Sequence, residues 1–177
     1  MDIITRPMET DDWPEMVEIF AQGIQTNMST FEITCPSYEK WDSDFLSCCR
    51  LVAEEDCEIV AWAAIKPFSS RECYSGVAEL SIYVENGHRD NGVGKALLTA
   101  LVDESVKSGF WSLQSRIFEE NTRSIAVHEK CGFRKIGYFE RPAKDRFAVW
   151  RNVVLMEYRI QSDIAGGCDC DLVKKRQ

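Results

Sequence analysis

The stretch "SIYVENGHRDNGVGKALL", residues 81–98, joins a strand-like apolar run to an amphipathic helix through a short loop that holds Gly92 and Gly94. Such a junction aims the unpaired backbone N–H groups of a helix's first turn at one point. The partial positive charge there suits a phosphate or pyrophosphate without a dedicated cationic side chain. Glycines let a ligand approach that backbone closely, although two glycines alone also read as a plain strand-to-helix turn. Two other phosphate loops fail on spacing. A P-loop requires Ser or Thr after Gly-Lys, and Lys95 is followed by Ala96. A dinucleotide fingerprint requires a third glycine where Leu97 stands.

Arg89-Asp90-Asn91-Gly92-Val93-Gly94 resembles the Q/R-x-x-G-x-G/A acyl-CoA loop of the GNAT superfamily of N-acetyltransferases. "NTRSIAVHEKCGF" is similar to the helix on which that superfamily places a second cofactor contact and often a tyrosine acid. Asn121, Ser124, Glu129, Lys130, Gly132 and Phe133 match, and His128 stands where the tyrosine commonly is. The phosphinothricin acetyltransferase branch, with its amino-acid N-acyltransferase relatives, is the nearest in pattern. Its features here are Thr26 and Phe31, Pro67-Phe68-Ser69-Ser70-Arg71-Glu72-Cys73-Tyr74, Glu79, His128-Glu129 and Trp150-Arg151-Asn152-Val153. Ser69 replaces a lysine common in that branch, and Asn152 an aspartate.

The resemblance, which covers residues 3–160, implies an α/β acyl-CoA N-acyltransferase fold: a mixed, mostly antiparallel central sheet flanked by helices. It implies acetyl-CoA as co-substrate, no metal, and a small amine or amino-acid acceptor. Cofactor contacts would come from Ile82, Tyr83, Val84, Arg89, Asp90, Asn91, Gly92, Val93, Gly94, Lys95, Asn121 and Ser124. Acceptor contacts would come from Phe31, Ser69, Arg71, Tyr74 and Glu79, and relatives in this branch suggest a homodimer.

The chemistry can be built from those residues. An amine attacks a thioester only as the neutral base, yet an α-amino group has a pKa near ~8, so a proton must leave. Glu79 is the expected base, through water, with simple pairing to the substrate ammonium or to Arg71 as the alternative. A backbone N–H from the Ile82 to Val84 stretch would stabilise the oxyanion. His128 would protonate the leaving thiolate or serve only as a structural residue. Arg71 would clamp an acceptor carboxylate or lie idle on the surface. Cys131, three residues after His128, raises the question of an acyl-enzyme, but a buried cysteine is more often inert. Phe31, Phe68, Tyr74 and Trp150 would either wall the acceptor pocket or pack in the core. Other readings are acetylation of a polyamine, an aminoglycoside or a protein N-terminus, or an acyl-CoA sensor without catalysis.

The elements that must position these groups follow from periodicity. "IITRPM" reads as a strand, and Thr10 as the N-cap of a helix carrying Trp13, Met16, Val17, Phe20 and Ile24 on one face. Ser37 is expected to cap a second helix that reaches Cys49. "RLVAEED" and "EIVAWAAIKPF" read as an antiparallel pair, followed by the strand "VAELSIYV". A helix from Gly92 to Gly109, the strand "SLQSRIF", a helix ending at Gly132 and the strand "NVVLMEYRI" complete a domain of residues 1–161. Residues 162–177 are expected to form a mobile extension.

Composition narrows the class further. The 177 residues carry a net charge of −8, which disfavours a surface suited to nucleic acid. The acidity is uneven: residues 1–60 hold 3 basic and 14 acidic side chains, and the remainder 18 and 15. No apolar run is long enough to span a bilayer, and the N-terminus lacks the layout of a secretory signal. A cytoplasmic protein that engages no membrane is therefore expected. Its 8 cysteines then read as reduced thiols, with no C-x-x-C pair for zinc. Cys168 and Cys170 would bind a soft metal, oxidise or simply decorate the tail.

Overall fold

The computed structural model describes residues 3–160. Seven strands form one sheet: β1 (Ile4–Pro7), β2 (Leu51–Glu55), β3 (Glu58–Pro67), β4 (Val77–Val84), β5 (Ser112–Phe118), β6 (Arg134–Lys144) and β7 (Trp150–Arg159). Their order is β1-β2-β3-β4-β5-β7-β6, antiparallel throughout except for the parallel pair β4 and β5. One face is covered by α1 (Trp13–Thr26) and α2 (Tyr38–Asp44), the other by α3 (Val93–Lys107) and α4 (Thr122–Lys130). None of the described helices is long and apolar enough to cross a membrane.

Alternation along the central strands sorts the two cores. Trp62 and Ala64 join Met16, Ile19, Phe20 and Trp41 under α1 and α2. Ala61, Ala63 and Ile65 join Leu97, Leu98 and Leu101 under α3. Trp62 stacks on Tyr83 with ring centroids 4.8 Å apart and donates from Nε1 to the Met16 carbonyl at 3.0 Å. Truncating such a buried indole costs about 3–5 kcal/mol. Gly23 allows α1 to sit this close to the sheet, because a Cβ there would lie 2.8 Å from the Tyr83 ring. The β2–β3 turn places Asp56 and Cys57 both at positive φ, the backbone twist that a two-residue hairpin requires.

Three expectations need correction. The first helical segment begins one residue earlier than Thr10 suggests: Glu9 is the cap of a short 3₁₀ turn, Thr10–Asp12, ahead of α1. Asp12 is drawn out of a solvated first turn because Arg6 binds both its oxygens at 2.8 Å. The second helix starts at the Ser37 cap as expected but stops at Asp44. Phe45 turns extended, the Leu46 amide bonds the Ile65 carbonyl at 2.9 Å, and Arg50 gathers the carbonyls of Asp42, Phe45 and Leu46. Finally, β6 went unread. Nearly all its side chains are exposed, so the alternation that marks a half-buried strand is missing, and its register shifts twice against β7. The segment 162–177, with Cys168 and Cys170, lies outside the described residues.

Candidate active site

Strands β4 and β5 pair over only three positions, Val77 with Ser112 to Glu79 with Gln114, and then separate although both continue. That splay decides which backbone groups are available. The Glu85 amide bonds the Val60 carbonyl at 2.8 Å, and bonded pairs in an antiparallel ladder recur at every second residue. Tyr83, Ser81 and Glu79 therefore bond to β3, while the amides of Ile82 and Val84 face the widening gap. The Val84 carbonyl, on the same side, accepts from Arg89 Nε at 3.2 Å.

The glycine loop closes one end of the gap. Gly92 caps α3 at φ 88 with no side-chain hydrogen bond, so the first-turn amides of Val93, Gly94 and Lys95 keep their donors, and the ladder of α3 begins with Ala96 on Gly92. A Cβ at Gly92 would meet nothing within 4 Å, whereas one at Gly94 would touch Val84 at 3.4 Å. Asp90 sits at φ 66 and pairs with Arg123 of α4 at 3.0 Å, which ties the loop to the next helix. Asn91 and Lys95 are exposed beside it. Upstream, His88 lies between Glu85 at 2.8 Å and Glu55 at 3.2 Å.

Period-two alternation puts Glu79 on the α1 face of the sheet, beside the splay. Its carboxylate pairs with Lys66 Nζ at 3.3 Å and with Arg116 Nη1 at 3.2 Å. Lys66 is its cross-strand neighbour on β3 and Arg116 projects from β5. Arg71, the partner weighed from sequence, is exposed instead. Its guanidinium lies 6.0 Å from the Tyr74 ring, and Phe68 packs on that ring at 5.5 Å. Ser69 Oγ accepts from the Arg71 amide at 3.2 Å. These residues form the β3–β4 connection, which returns to the sheet at Ala78, next to Glu79.

A second wall comes from the segment after α1. Asn27, at φ 54, ends that helix, and Phe31 meets Phe118 of β5 edge-on at 4.6 Å. Asn121 caps α4 by accepting from the Ser124 amide and donates to the Met28 carbonyl at 3.1 Å. Its side chain is thus committed to holding this wall. Asp145 fastens the wall to the β6–β7 hairpin. Burial opposes its ionisation, but hydrogen bonds from Asn27, the Val149 amide, Arg151 and the Phe147 amide hold its carboxyl well below the usual range. Trp150 is 51% exposed under Lys144 and so lies on the outer surface, not in an aromatic pocket.

His128 is 1% exposed. Its Nδ1–H donates to the Ser124 carbonyl at 2.8 Å, its ring packs on Phe133, and Nε2 has no hydrogen-bond partner among the described residues. Burial pushes its pKa down to about 4, against the Ser124 bond, so the ring is neutral and Nε2 carries a lone pair. In this state Nε2 offers its lone pair to a hydrogen-bond donor and carries no proton to supply to a thiolate. Cys131 contacts the Lys95 carbonyl and Thr99 at 3.8 Å, between α3 and α4.

The sequence profile of the acetyltransferase (GNAT) family matches residues 11–133, from α1 through the glycine loop to the end of α4. The chain belongs to this family. It is an acetyl-CoA-dependent N-acetyltransferase. It is 26% identical to phosphinothricin N-acetyltransferase of Alcaligenes faecalis over 86% of this chain and 80% of that one. It is also 26% identical to L-methionine sulfoximine/L-methionine sulfone acetyltransferase of Salmonella typhimurium over 65% and 67%. The crystal structure of a phosphinothricin acetyltransferase from Sinorhizobium meliloti in complex with acetyl-CoA superposes with a TM-score of 0.85 at 25% identity, covering 95% and 94% of the two chains.

The donor set found in the GNAT chain fits its co-substrate. The open Gly92 position, the uncapped first turn of α3 and the two β4 amides present N–H groups along one gap, as a pyrophosphate and an amide-rich arm require. Lys66, Arg116 and Asp145 escaped sequence reasoning, and Arg151 entered it only as part of the Trp150–Val153 motif. Only strand register and a hairpin contact across the fold bring them to the site. Among the described residues no group of three or more His, Cys, Asp or Glu side chains could hold a metal.

Proposed function

We propose that this acetyltransferase moves acetyl from acetyl-CoA directly to the amino group of a small amino acid or amino-acid analogue. The observation that carries this reading is Glu79, a carboxylate beside the β4–β5 splay held between two cations, one of them Arg116, two residues before the Phe118 that Phe31 packs against. Such a site offers an anion to the acceptor's ammonium and cations to its acid group. The names of the relatives, which act on phosphinothricin and on methionine sulfoximine or sulfone, support the same substrate class.

Acetyl-CoA supplies an activated thioester. The first-turn amides of α3 bind the pyrophosphate, and the Ile82 and Val84 amides orient the pantetheine side and take up oxyanion charge. Glu79 removes the ammonium proton, directly or through water, as its pairs with Lys66 and Arg116 open to the acceptor. Arg71, on the adjoining loop, swings to the acceptor carboxylate with Tyr74 and Ser69 beside it. The neutral His128 orients the α4 N-terminus by its bond to Ser124. Direct transfer in a ternary complex agrees with Cys131 being packed between two helices.

Release of CoA thiol would be followed against amino acids, phosphinothricin, methionine sulfoximine and sulfone, polyamines and aminoglycosides. Turnover confined to amino-acid acceptors is expected. Faster turnover of polyamines or aminoglycosides would overturn the acceptor class, and binding of acetyl-CoA without thiol release from any acceptor would favour a sensor.

We further propose a homodimer through the hairpin formed by β6, β7 and the turn that joins them. Ile136, Tyr138, Phe139, Phe147, Val149 and Trp150 are all at least 39% exposed there, and β6 is a sheet edge. So much apolar surface on one hairpin marks an interface. Sedimentation should give twice the chain mass, and Phe139→Glu should give a folded monomer; a monomeric parent would refute this.

A further inference from the structure

Two adjacent cysteines lie away from the acetyl-transfer gap, where the chain passes from α2 to β2. Cys48 and Cys49 are consecutive there and line a cavity of about 280 Å³ with Met8, Tyr38, Arg50 and Glu104. Cys49 takes a left-handed backbone, φ 56, which turns its side chain inward against α3 while Cys48 stays half-buried. The Cys48 thiol adjoins Cys49 in the chain and acts on its ionisation. Cys49 Sγ also bonds Ser108 Oγ, at 3.5 Å, at the C-terminal end of α3. Gly92 lies at the other end of that helix, about 24 Å away at about 1.5 Å per residue.

The surroundings define which sulfur reacts first. The hydrogen bond from Cys48 is the main influence that brings the Cys49 thiol down to about 7, against burial, with Ser108 assisting and Glu104 opposing. The Ser105 hydroxyl donates to the Leu101 carbonyl at 2.7 Å, so its proton is not available to the Cys49 sulfur. Arg50 is likewise occupied with Asp42 and the carbonyls of Phe45 and Leu46. The cavity that both residues line, about 280 Å³, has room for a small oxidant.

We propose that Cys48 and Cys49 form a hydroperoxide-reactive dithiol that closes to a disulfide between neighbouring residues. The Cys49 thiolate attacks the peroxide: an S–O bond forms, the O–O bond breaks, and the departing hydroxide takes a proton to become water. Cys48 then attacks the sulfenyl sulfur. An S–S bond forms, the S–O bond breaks, and its oxygen, which already carries the sulfenic hydrogen, leaves as a second water with the Cys48 proton. Two thiols lose two electrons in all, and one hydrogen peroxide is reduced to two waters.

Residues 41–50 form one tryptic peptide, between Lys40 and Arg50, with no other cysteine. The full chain would be treated with hydrogen peroxide near stoichiometry, alkylated, digested and weighed. The peptide is expected to lose two hydrogens and resist alkylation while Cys35, whose thiol burial pushes up, still takes the label. Cys48→Ser should stop at a sulfenic acid on Cys49 that dimedone traps. Cys49→Ser should show neither product, and retained acetyl-CoA binding checks its fold. Alkylation of residues 48 and 49 in the same proportion as Cys35 after peroxide would overturn the proposal, as would trapping of the sulfenic acid in Cys49→Ser.

Discussion

Glu79→Gln keeps the side-chain volume and removes both a charge and a proton acceptor, so its two costs can be separated. The structural cost is the loss of the pairs with Lys66 and Arg116, whose side chains are 40% and 50% exposed. Screened pairs of this kind contribute about 0.2–1 kcal/mol each, so folding should weaken by no more than about 2 kcal/mol. The catalytic cost is larger. A positioned general base is worth about 10²- to 10⁴-fold, or about 3–5 kcal/mol of barrier. An α-amino acceptor has its pKa near ~8, so the deficit should be greatest near pH 6 and narrow towards pH 9, where the amine is already neutral. Initial rates of thiol release at saturating acetyl-CoA across that range, with urea unfolding in parallel, measure both quantities. Rates equal to the parent's at every pH would refute the base role. A raised acceptor KM with unchanged kcat would reduce Glu79 to a binding group. A stability loss well above ~2 kcal/mol would refute the energetic reasoning.

The two loop glycines should differ although they look alike in sequence. Gly92→Ala forces a Cβ into φ 88 and should cost about 1–2 kcal/mol in urea unfolding, while Gly94→Ala, 3.4 Å from Val84, should cost less; equal losses would contradict the backbone reading. Arg71→Ala should raise KM for carboxylate-bearing acceptors about 10- to 100-fold more than for their amides, the worth of a charge-assisted hydrogen bond. Equal effects on both acceptor types would exclude the clamp. His128, with its pKa depressed to about 4, binds its proton more weakly folded than unfolded. Its contribution to stability is therefore complete above the unfolded pKa of ~6.5 and is lost as pH falls towards 4, up to about 3 kcal/mol. His128→Gln should flatten the change in urea midpoint between about pH 6.5 and 5, and an unchanged slope would refute the assignment.

Legibility in the sequence followed the range of the interaction. The glycine loop, the α3 start and the strand that bears Glu79 depend on neighbours within a few residues, and all appear where the residues indicate. The α2 boundary failed because the Leu46 amide is satisfied by Ile65 on another strand. Strand β6 failed because its faces stay exposed, so no periodic signal is written into it. Position alone leaves His128 open between an acid for the thiolate and a structural residue, and its burial against Phe133 makes the ring neutral.

By itself the sequence determines the local machinery: a helix start with open amides, a carboxylate on a central strand, and the order of elements that makes a mixed sheet. These rest on backbone geometry and short-range periodicity. Only the tertiary structure decides which charges meet Glu79. Lys66 and Arg116 are separated from it in sequence and reach it through the β3–β4 register and the splay of β5. The same holds for Asp145, which closes the acceptor wall on Asn27 across more than a hundred residues. Electrostatic partners depend on distance in space, and spacing along a chain does not report that distance once strands pair.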